Sequence, residues 1–220
     1  GGAAISSWGH LFVPDGGFTP TTSARNLTQY SDLRISGAIG GTGNLLLRGE
    51  GRGTLSGDIT SAGGLIKDGS GIWSISGNNN FTGLTDVTAG TLAISSSNAL
   101  GSTTSGTRVI GGATLELSGG ISIGAESLEL HGTGSPKQRG SLVNASGTNS
   151  FAGDITLLTD PLVSAQNTNV SIASQSGKLT VSGAVAPKSG TDANLVITGP
   201  GEIEFTSTIA TGQGSLIKNG

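Results

Sequence analysis

Apolar and polar residues alternate in short segments along most of this chain. Residues 115–117 and residues 128–130 both place a glutamate between two leucines, and residues 121–123 place a serine between two isoleucines. An alternation with a period of two, bounded by glycine, asparagine and serine, is typical of short β-strands with one buried face. The pattern therefore predicts strands throughout, with only residues 22–30 compatible with a single helical turn.

A second pattern, with a step of 20 residues, is superimposed on the alternation. The stretches ISGAI at 35–39, LSGDI at 55–59 and ISGNN at 75–79 resemble one another. The step connects apolar, glycine and polar positions: Ile35, Leu55 and Ile75; Gly37, Gly57 and Gly77; Gly43, Gly63 and Gly83; and Asp58, Asn78 and Asn98. A repeat of this length is typical of solenoid proteins, in which each unit packs on its neighbours.

A solenoid places residues one repeat apart on top of one another. Each strand then pairs with the equivalent strand of the next coil, about 4.8 Å along the axis, and at roughly 20–25 residues per coil the chain would make about ten coils. We expect glycine at the corners, where the backbone needs positive φ or close approach. The side chains of Asp58, Asn78 and Asn98 are expected to form a ladder along one corner.

The alternative architecture is a tandem of β-sandwich domains, which has a similar spacing of strands. A sandwich usually needs a larger aromatic core than two Trp and five Phe provide. It also does not require the same type of residue at every twentieth position. The two patterns together favour an all-β chain wound as a parallel β-helix.

Residues 63–94 carry a motif that resembles a known family. The segment GGLIKDGSGIWSISGNNNFTGLTDVTAGTLAI is similar to the passenger-associated transport repeat, also called the autotransporter-associated β-strand repeat. The positions that match the family's pattern are Leu65, Lys67, Gly69, Gly71, Ile75, Gly77, Asn79, Phe81, Gly83, Thr85, Gly90 and Leu92. The motif is a structural repeat without catalytic residues, and residues 215–220 begin like a second copy.

This resemblance implies a right-handed parallel β-helix in a large bacterial protein that is secreted or anchored at the cell surface, often as an adhesin. It also implies a C-terminal outer-membrane β-barrel in the full-length protein. Residues 1–31 hold aromatic residues but no repeat, and they are expected to cap the first coil or to form a leading segment. Residues 32–220 are expected to form the β-helix, which would be truncated within a repeat at its C-terminal end.

Composition limits the functions that this chain can perform. Its 220 residues include 40 Gly and no Cys, 11% are charged, and the net charge is −3. Eleven Lys and Arg are scattered among 14 Asp and Glu, which argues against nucleic-acid binding because phosphates require clustered basic residues. Disulfides and thiolate metal sites are excluded. Since no apolar run is long enough for a membrane-spanning helix, we expect no membrane contact of this segment.

One loop is a candidate for binding a partner. The stretch HGTGSPKQRG at 131–140 interrupts the alternation and places His131, Lys137 and Arg139 close together in sequence. Loops inserted into solenoids are often binding sites, and the alternative is an ordinary solvated loop. The expected partners are a host or matrix surface, a glycan, or a second copy of the chain.

Two features suggest catalysis only superficially. Ser122 lies in a Gly-x-Ser-x-Gly stretch, but the predicted strand turns it outward and no helix follows, as a nucleophile elbow requires. Glu202 and Glu204 share one strand face, without an evident basic partner. We therefore expect no catalytic, cofactor-binding or metal-ligating residues.

The predicted role is a rigid stalk or an adhesin in cell-surface attachment, and two alternatives stay open. Polysaccharide-degrading enzymes also use β-helices, but their chemistry needs carboxylates gathered on one face, and offsets of 20 residues do not gather them here. A self-associating filament or biofilm module would instead use exposed strand ladders.

Overall fold

The computed structural model of the chain describes residues 4–7, 12–13, 24–29, 32–136, 138–159 and 169–219, the first three of these ranges as backbone only. All paired strands in this part of the chain are parallel and belong to three sheets. Within the same ranges no helix is present that could cross a membrane. The prediction of an all-β parallel solenoid is confirmed, whereas its right-handed winding and its ten coils stay predictions.

The first sheet contains nine strands and the second contains ten. The strands of the first sheet are β1 (Ala4–Ser7), β3 (Ala24–Gln29), β5 (Asn44–Gly49), β7 (Leu65–Lys67), β9 (Thr85–Val87), β11 (Thr107–Val109), β14 (Leu128–His131), β17 (Ile155–Leu158) and β20 (Val185–Pro187). The strands of the second sheet are β2 (Phe12–Val13), β4 (Leu33–Ile35), β6 (Arg52–Leu55), β8 (Ile72–Ile75), β10 (Gly90–Ile94), β12 (Ala113–Leu117), β15 (Leu142–Asn144), β18 (Asn169–Ser174), β21 (Asn194–Thr198) and β23 (Leu216–Asn219).

A third sheet of four strands closes the later coils. Its strands are β13 (Ser122–Ile123), β16 (Thr148–Phe151), β19 (Lys178–Val181) and β22 (Glu202–Phe205). In the earlier coils the same side is marked only by an isolated parallel bridge between Ile39 and Ile59. The chain passes from the first sheet to the second, then to the third side, and returns to the first one coil further along.

The core is a set of columns of inward-facing side chains that run along the solenoid. Ile35 pairs with Leu55, and Leu55 pairs with Ile75. The column continues through Ile94 and Leu117, and all five side chains are buried. The residues that the 20-residue step connects are therefore stacked neighbours, and each buried aliphatic side chain contributes about 1.5–3 kcal/mol.

The 20-residue step holds only in the first half of the solenoid. Leu45 pairs with Leu65 and Leu65 with Thr85 at this spacing. Further along, Leu128 pairs with Ile155, and Ile155 pairs with Val185, so that the later coils are longer. They lengthen in the connection from the first sheet to the second: ten residues separate β14 from β15 and ten separate β17 from β18, compared with two between β5 and β6.

Close backbone contact between coils explains one glycine series. A Cβ atom on Gly57 would lie 2.2 Å from the carbonyl oxygen of Gly37, and one on Gly77 would lie 2.3 Å from that of Gly57. Neither distance is compatible with a real side chain. These glycines are needed where one coil presses directly on the next, so that each coil excludes side chains from the same corner.

The solenoid strands extend into the segment that the sequence analysis assigned to a cap. Strand β1 pairs with β3, β2 pairs with β4, and β3 pairs with β5. The helical turn expected within residues 22–30 is wrong, because Ala24–Gln29 is a strand. The aromatic side chains expected to form the cap lie outside the described residues or in strands described as backbone only.

A large aromatic side chain depends on a neighbouring glycine. Trp73 is completely buried, and its indole N–H donates a hydrogen bond to the carbonyl of Arg48 at 3.2 Å. Gly53 is its partner in the adjacent coil. A Cβ atom on Gly53 would lie 2.3 Å from the indole ring, so the ring occupies the space that a side chain at position 53 would take.

We expect Gly53→Ala to lower the free energy of unfolding by about 1–3 kcal/mol, because the added methyl group overpacks the core against Trp73. Urea denaturation followed by tryptophan fluorescence measures the change. The control is Gly124→Ala, since a Cβ atom there would meet only a Thr103 methyl group, at 4.0 Å. Equal stability of the two variants would contradict the packing described here.

Candidate functional site: residues 65–94 and the 131–140 loop

Lys67 is the most unusual residue of the family-like segment because its side chain points into the core. It stands in a column between Leu47 and Val87 and is completely buried. Its ammonium group donates hydrogen bonds to the carbonyls of Gly69 at 2.7 Å and Ala89 at 2.9 Å. One cation therefore ties its own turn to the next coil.

The surroundings of Lys67 disfavour its charge. Burial lowers the pKa of Lys67 from 10.5 to about 8, and the nearby Asp68 carboxylate opposes this shift. The carbonyl dipoles accept the ammonium protons, but they do not replace water completely. Lys67 therefore remains mostly charged near pH 7 and is held by hydrogen bonds inside the solenoid.

Asn79 makes a similar connection through an amide. Its Oδ1 atom accepts a hydrogen bond from the backbone N–H of Ile59 at 2.8 Å, and its Nδ2 atom donates one to the carbonyl of Ala99 at 2.7 Å. The side chain is buried, so it links the preceding coil and the following coil across the interior. The hydroxyl of Thr85 adds a bond to the carbonyl of Leu100 at 3.2 Å.

A comparison with protein-family models identifies this part of the chain. The model described as passenger-associated-transport-repeat matches residues 65–94. These residues are a passenger-associated transport repeat. A search of curated proteins found no match, and neither did a search of solved structures.

The geometry explains what the slots of the passenger-associated transport repeat require. Its apolar positions point inward, and Leu65, Ile75, Phe81 and Leu92 are all completely buried. Its polar positions Lys67, Asn79 and Thr85 bond to backbone atoms of neighbouring turns or coils. Gly69 and Gly90 have positive φ, at 86° and 67°. The apolar, polar and glycine positions of the motif thus all contribute to the stacking of one coil on the next.

Residues 214–219, whose sequence resembles the start of the 65–94 repeat, do not occupy the equivalent position in the solenoid. Strand β23 pairs with β21 in the second sheet, whereas β7 of the repeat belongs to the first sheet. Lys67 is buried and Lys218 is exposed. The two similar sequence segments therefore lie on two different sides of the solenoid.

The structure brings Asp58, Asn78 and Asn98 together on one exposed corner. The backbone N–H of Asn78 donates to Asp58 Oδ1 at 2.7 Å, and Asn98 Nδ2 donates to Asn78 Oδ1 at 2.6 Å. Only the second contact joins two side chains. Because all three residues are exposed, these bonds compete with water and contribute less than the buried amide of Asn79 does.

The 131–140 loop folds back over the outer face of the second sheet. The backbone N–H of Ser135 donates to Thr114 Oγ1 at 3.0 Å, and Thr114 Oγ1 donates to the Gly140 carbonyl at 2.8 Å. Gln138 Nε2 donates to Glu116 Oε2 at 2.6 Å. The loop is therefore fixed to two strand residues, and it separates two surface cavities of about 450 and 550 Å³.

His131 and Arg139, the two candidate residues of this loop that the structure describes, have different surroundings. His131 ends strand β14, whereas Arg139 is exposed and lines the smaller of the two cavities. Lys137 lies outside the described residues. The hypothesis of one basic binding patch thus has support only in the exposed position of Arg139.

Sequence reasoning missed a buried carboxyl group. Glu126 is 1% exposed, and it accepts a hydrogen bond from the Thr107 hydroxyl at 2.7 Å. Burial raises the pKa of the Glu126 carboxyl from 4.5 to about 7, against the opposing effect of the Thr107 bond. The sequence GAES places Glu126 between two strands, where alternation does not indicate which residues point inward.

A buried polar cluster was also missed. The Ile35–Leu117 column continues into Asn144 and Ser174, and Asn144 Nδ2 donates to Ser174 Oγ at 2.9 Å. The Nδ2 atom of Asn149 donates a hydrogen bond to Asn144 Oδ1, and its Oδ1 atom accepts one from the backbone N–H of Ile121 at 2.7 Å. Small amide and hydroxyl residues thus replace aliphatic ones where the coils lengthen, a change that composition alone does not reveal.

The remaining carboxylates are paired or dispersed. Glu202 and Glu204 lie 3.0 and 2.9 Å from the ammonium of Lys178, so the expectation that they have no basic partner is wrong. Lys178 is one coil away, on β19, at an offset that the 20-residue step does not reach. Among the described residues no group of three or more His, Asp or Glu could hold a metal ion. Ser122 is exposed on its strand.

Lys67 should make stability rise with pH in the alkaline range. Because its pKa is about 8 in the folded state and 10.5 when unfolded, the unfolded chain binds more protons between these values, and the free energy of unfolding increases with pH. Lys67→Met should remove this increase. Above pH 10.5 the variant should be less stable by about 1–3 kcal/mol, since the carbonyl partners lose their donor. Urea denaturation at several pH values measures both effects.

The control for this series is Lys188→Met, because Lys188 is exposed in a loop. It should retain the alkaline increase of the wild type. An increase that persists in Lys67→Met would show that another group causes it.

Glu126 should act in the opposite direction at acidic pH. The folded state keeps its proton up to about pH 7, whereas the unfolded chain releases it near pH 4.5. Stability should therefore fall as pH rises from 4.5 to 7, and Glu126→Gln should reduce this fall. Thermal unfolding at pH 5 and pH 8 compares the variant with Glu129→Gln, which alters an exposed carboxylate three residues away. A pH dependence unchanged in Glu126→Gln would contradict the buried placement.

Proposed function

We propose that this chain is a segment of an autotransporter passenger, exported to the bacterial surface, where it serves as a rigid, non-catalytic rod in attachment. The observation that carries this proposal is the passenger-associated transport repeat at residues 65–94, together with its place in a parallel β-solenoid. This repeat family is associated with proteins secreted to the cell surface or beyond it. The attachment role and the absence of catalysis are parts of the proposal.

The rigidity follows from where the hydrogen bonds run. Each described strand bonds to strands of neighbouring coils, so that every coil is held by its neighbours along the axis. Buried groups such as Lys67 and Asn79 add bonds between coils. On the outer surface, Arg108 forms a two-pronged ion pair with Asp86 of the adjacent coil, at 3.1 and 2.7 Å. A solenoid whose coils are joined by so many hydrogen bonds and ion pairs resists bending, which suits a rigid spacer.

The placement of the perturbed groups supports a non-catalytic role. Catalytic groups with shifted pKa values normally face a cleft that admits a substrate. Lys67 and Glu126 are instead buried and bonded to protein atoms. Glu202 and Glu204 both form ion pairs with Lys178. Release of reducing ends from a polysaccharide panel by this chain would contradict this part of the proposal.

Surface display is the direct test of the passenger assignment. The loop between β20 and β21 is exposed at Ser189 and Gly190, and no atom lies within 4 Å of the Cβ position of Gly190. A short epitope tag inserted between these two residues should be tolerated, because such loops accept insertions. In cells that produce the full-length protein, a tag antibody should stain intact cells.

The matched control places the same tag between Leu142 and Val143, two completely buried residues of β15, where insertion should prevent folding and display. Staining of the loop-tagged protein only after permeabilisation would overturn the passenger assignment. If the displayed protein is present but its removal by external protease leaves attachment to matrix-coated surfaces unchanged, the attachment role is contradicted.

A further inference from the structure

A cleft of about 550 Å³ lies on the outer surface where the first sheet turns into the second. Its volume is within the range of sites for small molecules. Ile72, Ala89 and Gly90 form part of its floor, and Pro136 and Gln138 of the 131–140 loop form a wall. The cleft exists because the corner residues are small while the loop stands above them.

Both sides of this cleft are held in place. Ile72 and Gly90 of the floor begin strands β8 and β10, and each of these strands is paired on both sides. The wall is fixed by the bond from Gln138 to Glu116 and by the bond from Ser135 to Thr114, and both Thr114 and Ser135 are buried. The shape is therefore present before a ligand arrives, which lowers the entropic cost of binding.

Arg52 provides the charge of the cleft. It is the single charged residue that lines this cavity within the described part of the chain, and it takes part in none of the ion pairs found there. It is exposed, and its planar guanidinium suits two-pronged binding of a carboxylate. The Glu116 carboxylate interacts with the Arg52 charge through space, but it forms no ion pair with Arg52 and does not line the cleft; it accepts the hydrogen bond from Gln138.

The backbone of the floor is not available to a peptide ligand. The N–H of Ile72 donates to the carbonyl of Gly51 at 3.0 Å, and that of Thr91 donates to the carbonyl of Gly71 at 3.1 Å. An extended peptide that binds by adding a strand needs an unpaired edge, and this cleft lies on a sheet face. A ligand must instead bond to side chains and pack its apolar surface on Ile72 and Pro136.

We propose that the cleft binds an acidic sugar unit of a polysaccharide, with the sugar carboxylate on the Arg52 guanidinium. The C–H face of the sugar ring packs against Ile72 and Pro136, and its hydroxyls bond to the Ser70 hydroxyl and the Gln138 amide. A uronic acid combines these three features in one ring. This inference deepens the proposed attachment function, because it names the surface and the chemistry that would make the contact.

In the experiment, the full chain is titrated with an oligomer of four α-1,4-linked galacturonic acid units. Isothermal titration calorimetry and saturation-transfer NMR measure binding. The same oligomer with its carboxylates methyl-esterified is the ligand control. We expect the acidic oligomer to bind and the ester to bind at least about tenfold more weakly, since a charge-assisted bond contributes about 1.5–3 kcal/mol.

Two arginine variants distinguish binding in the cleft from binding in the smaller cavity on the other side of the loop. Arg52→Gln should weaken binding of the acidic oligomer about tenfold or more, whereas Arg139→Gln, with the same change of charge at the smaller cavity, should bind like the wild type. Ser70→Tyr, which fills the cleft without changing the charge, should also lose binding. Circular dichroism and thermal midpoints verify that the variants remain folded.

Binding that survives in both Arg52→Gln and Ser70→Tyr would overturn the assignment of the cleft, as would loss in Arg139→Gln alone. Absence of binding to the acidic oligomer would overturn the ligand class. None of these outcomes affects the display experiment, which tests the passenger assignment through antibody staining of cells. Failure of display with intact oligomer binding would instead reject the passenger role and retain the site.

Discussion

The hydrogen-bonded stacking of one coil on the next is the constraint from which the other features of this structure follow. A parallel ladder requires each strand to lie about 4.8 Å from its neighbour along the axis, so the backbones at the corners come into direct contact. That contact excludes side chains at Gly57 and Gly77. It also brings residues of equal type into columns, where an aliphatic residue packs on an aliphatic one.

Polar groups inside the solenoid follow from the same constraint. A corner that turns between sheets leaves carbonyls that no strand can bond, and buried groups of this kind are costly without a partner. Lys67 and Asn79 satisfy such groups in adjacent coils. The passenger-associated transport repeat at residues 65–94 thus covers one coil and the first two strands of the next, together with the bonds that join them, which explains why its polar positions are buried.

The sequence revealed the parts of the fold that repeat and concealed the parts that do not. The columns through Ile35, Leu55 and Ile75 were predictable because identical spacing and alternation agree there. The longer coils after Leu128 were not, since the segments inserted between the first and second sheets change the step without leaving a periodic signal. The strand at Ala24–Gln29 was missed because its polar residues pair through the backbone, which hydrophobic alternation does not report.

The candidate site was predictable to a smaller degree. The 131–140 loop stood out because it interrupts the alternation, but sequence drew attention to His131, Lys137 and Arg139. The cleft beside the loop instead contains Arg52, nearly 80 residues earlier in the chain. Only stacking places residues so distant in sequence on the same surface. Glu126 and Lys178 were missed or misjudged for the same reason, because their partners depend on offsets other than 20.

The unequal length of the coils has a mechanical consequence. Bonds between coils point along the axis, so tension applied to one end of the chain would detach the outermost coil before it loads the interior. A detached coil of 20 residues would lengthen the tether by about 70 Å, and one of 30 residues by about 100 Å. The tether would therefore lengthen in uneven steps under tension, and the larger steps would come from the coils beyond Leu128.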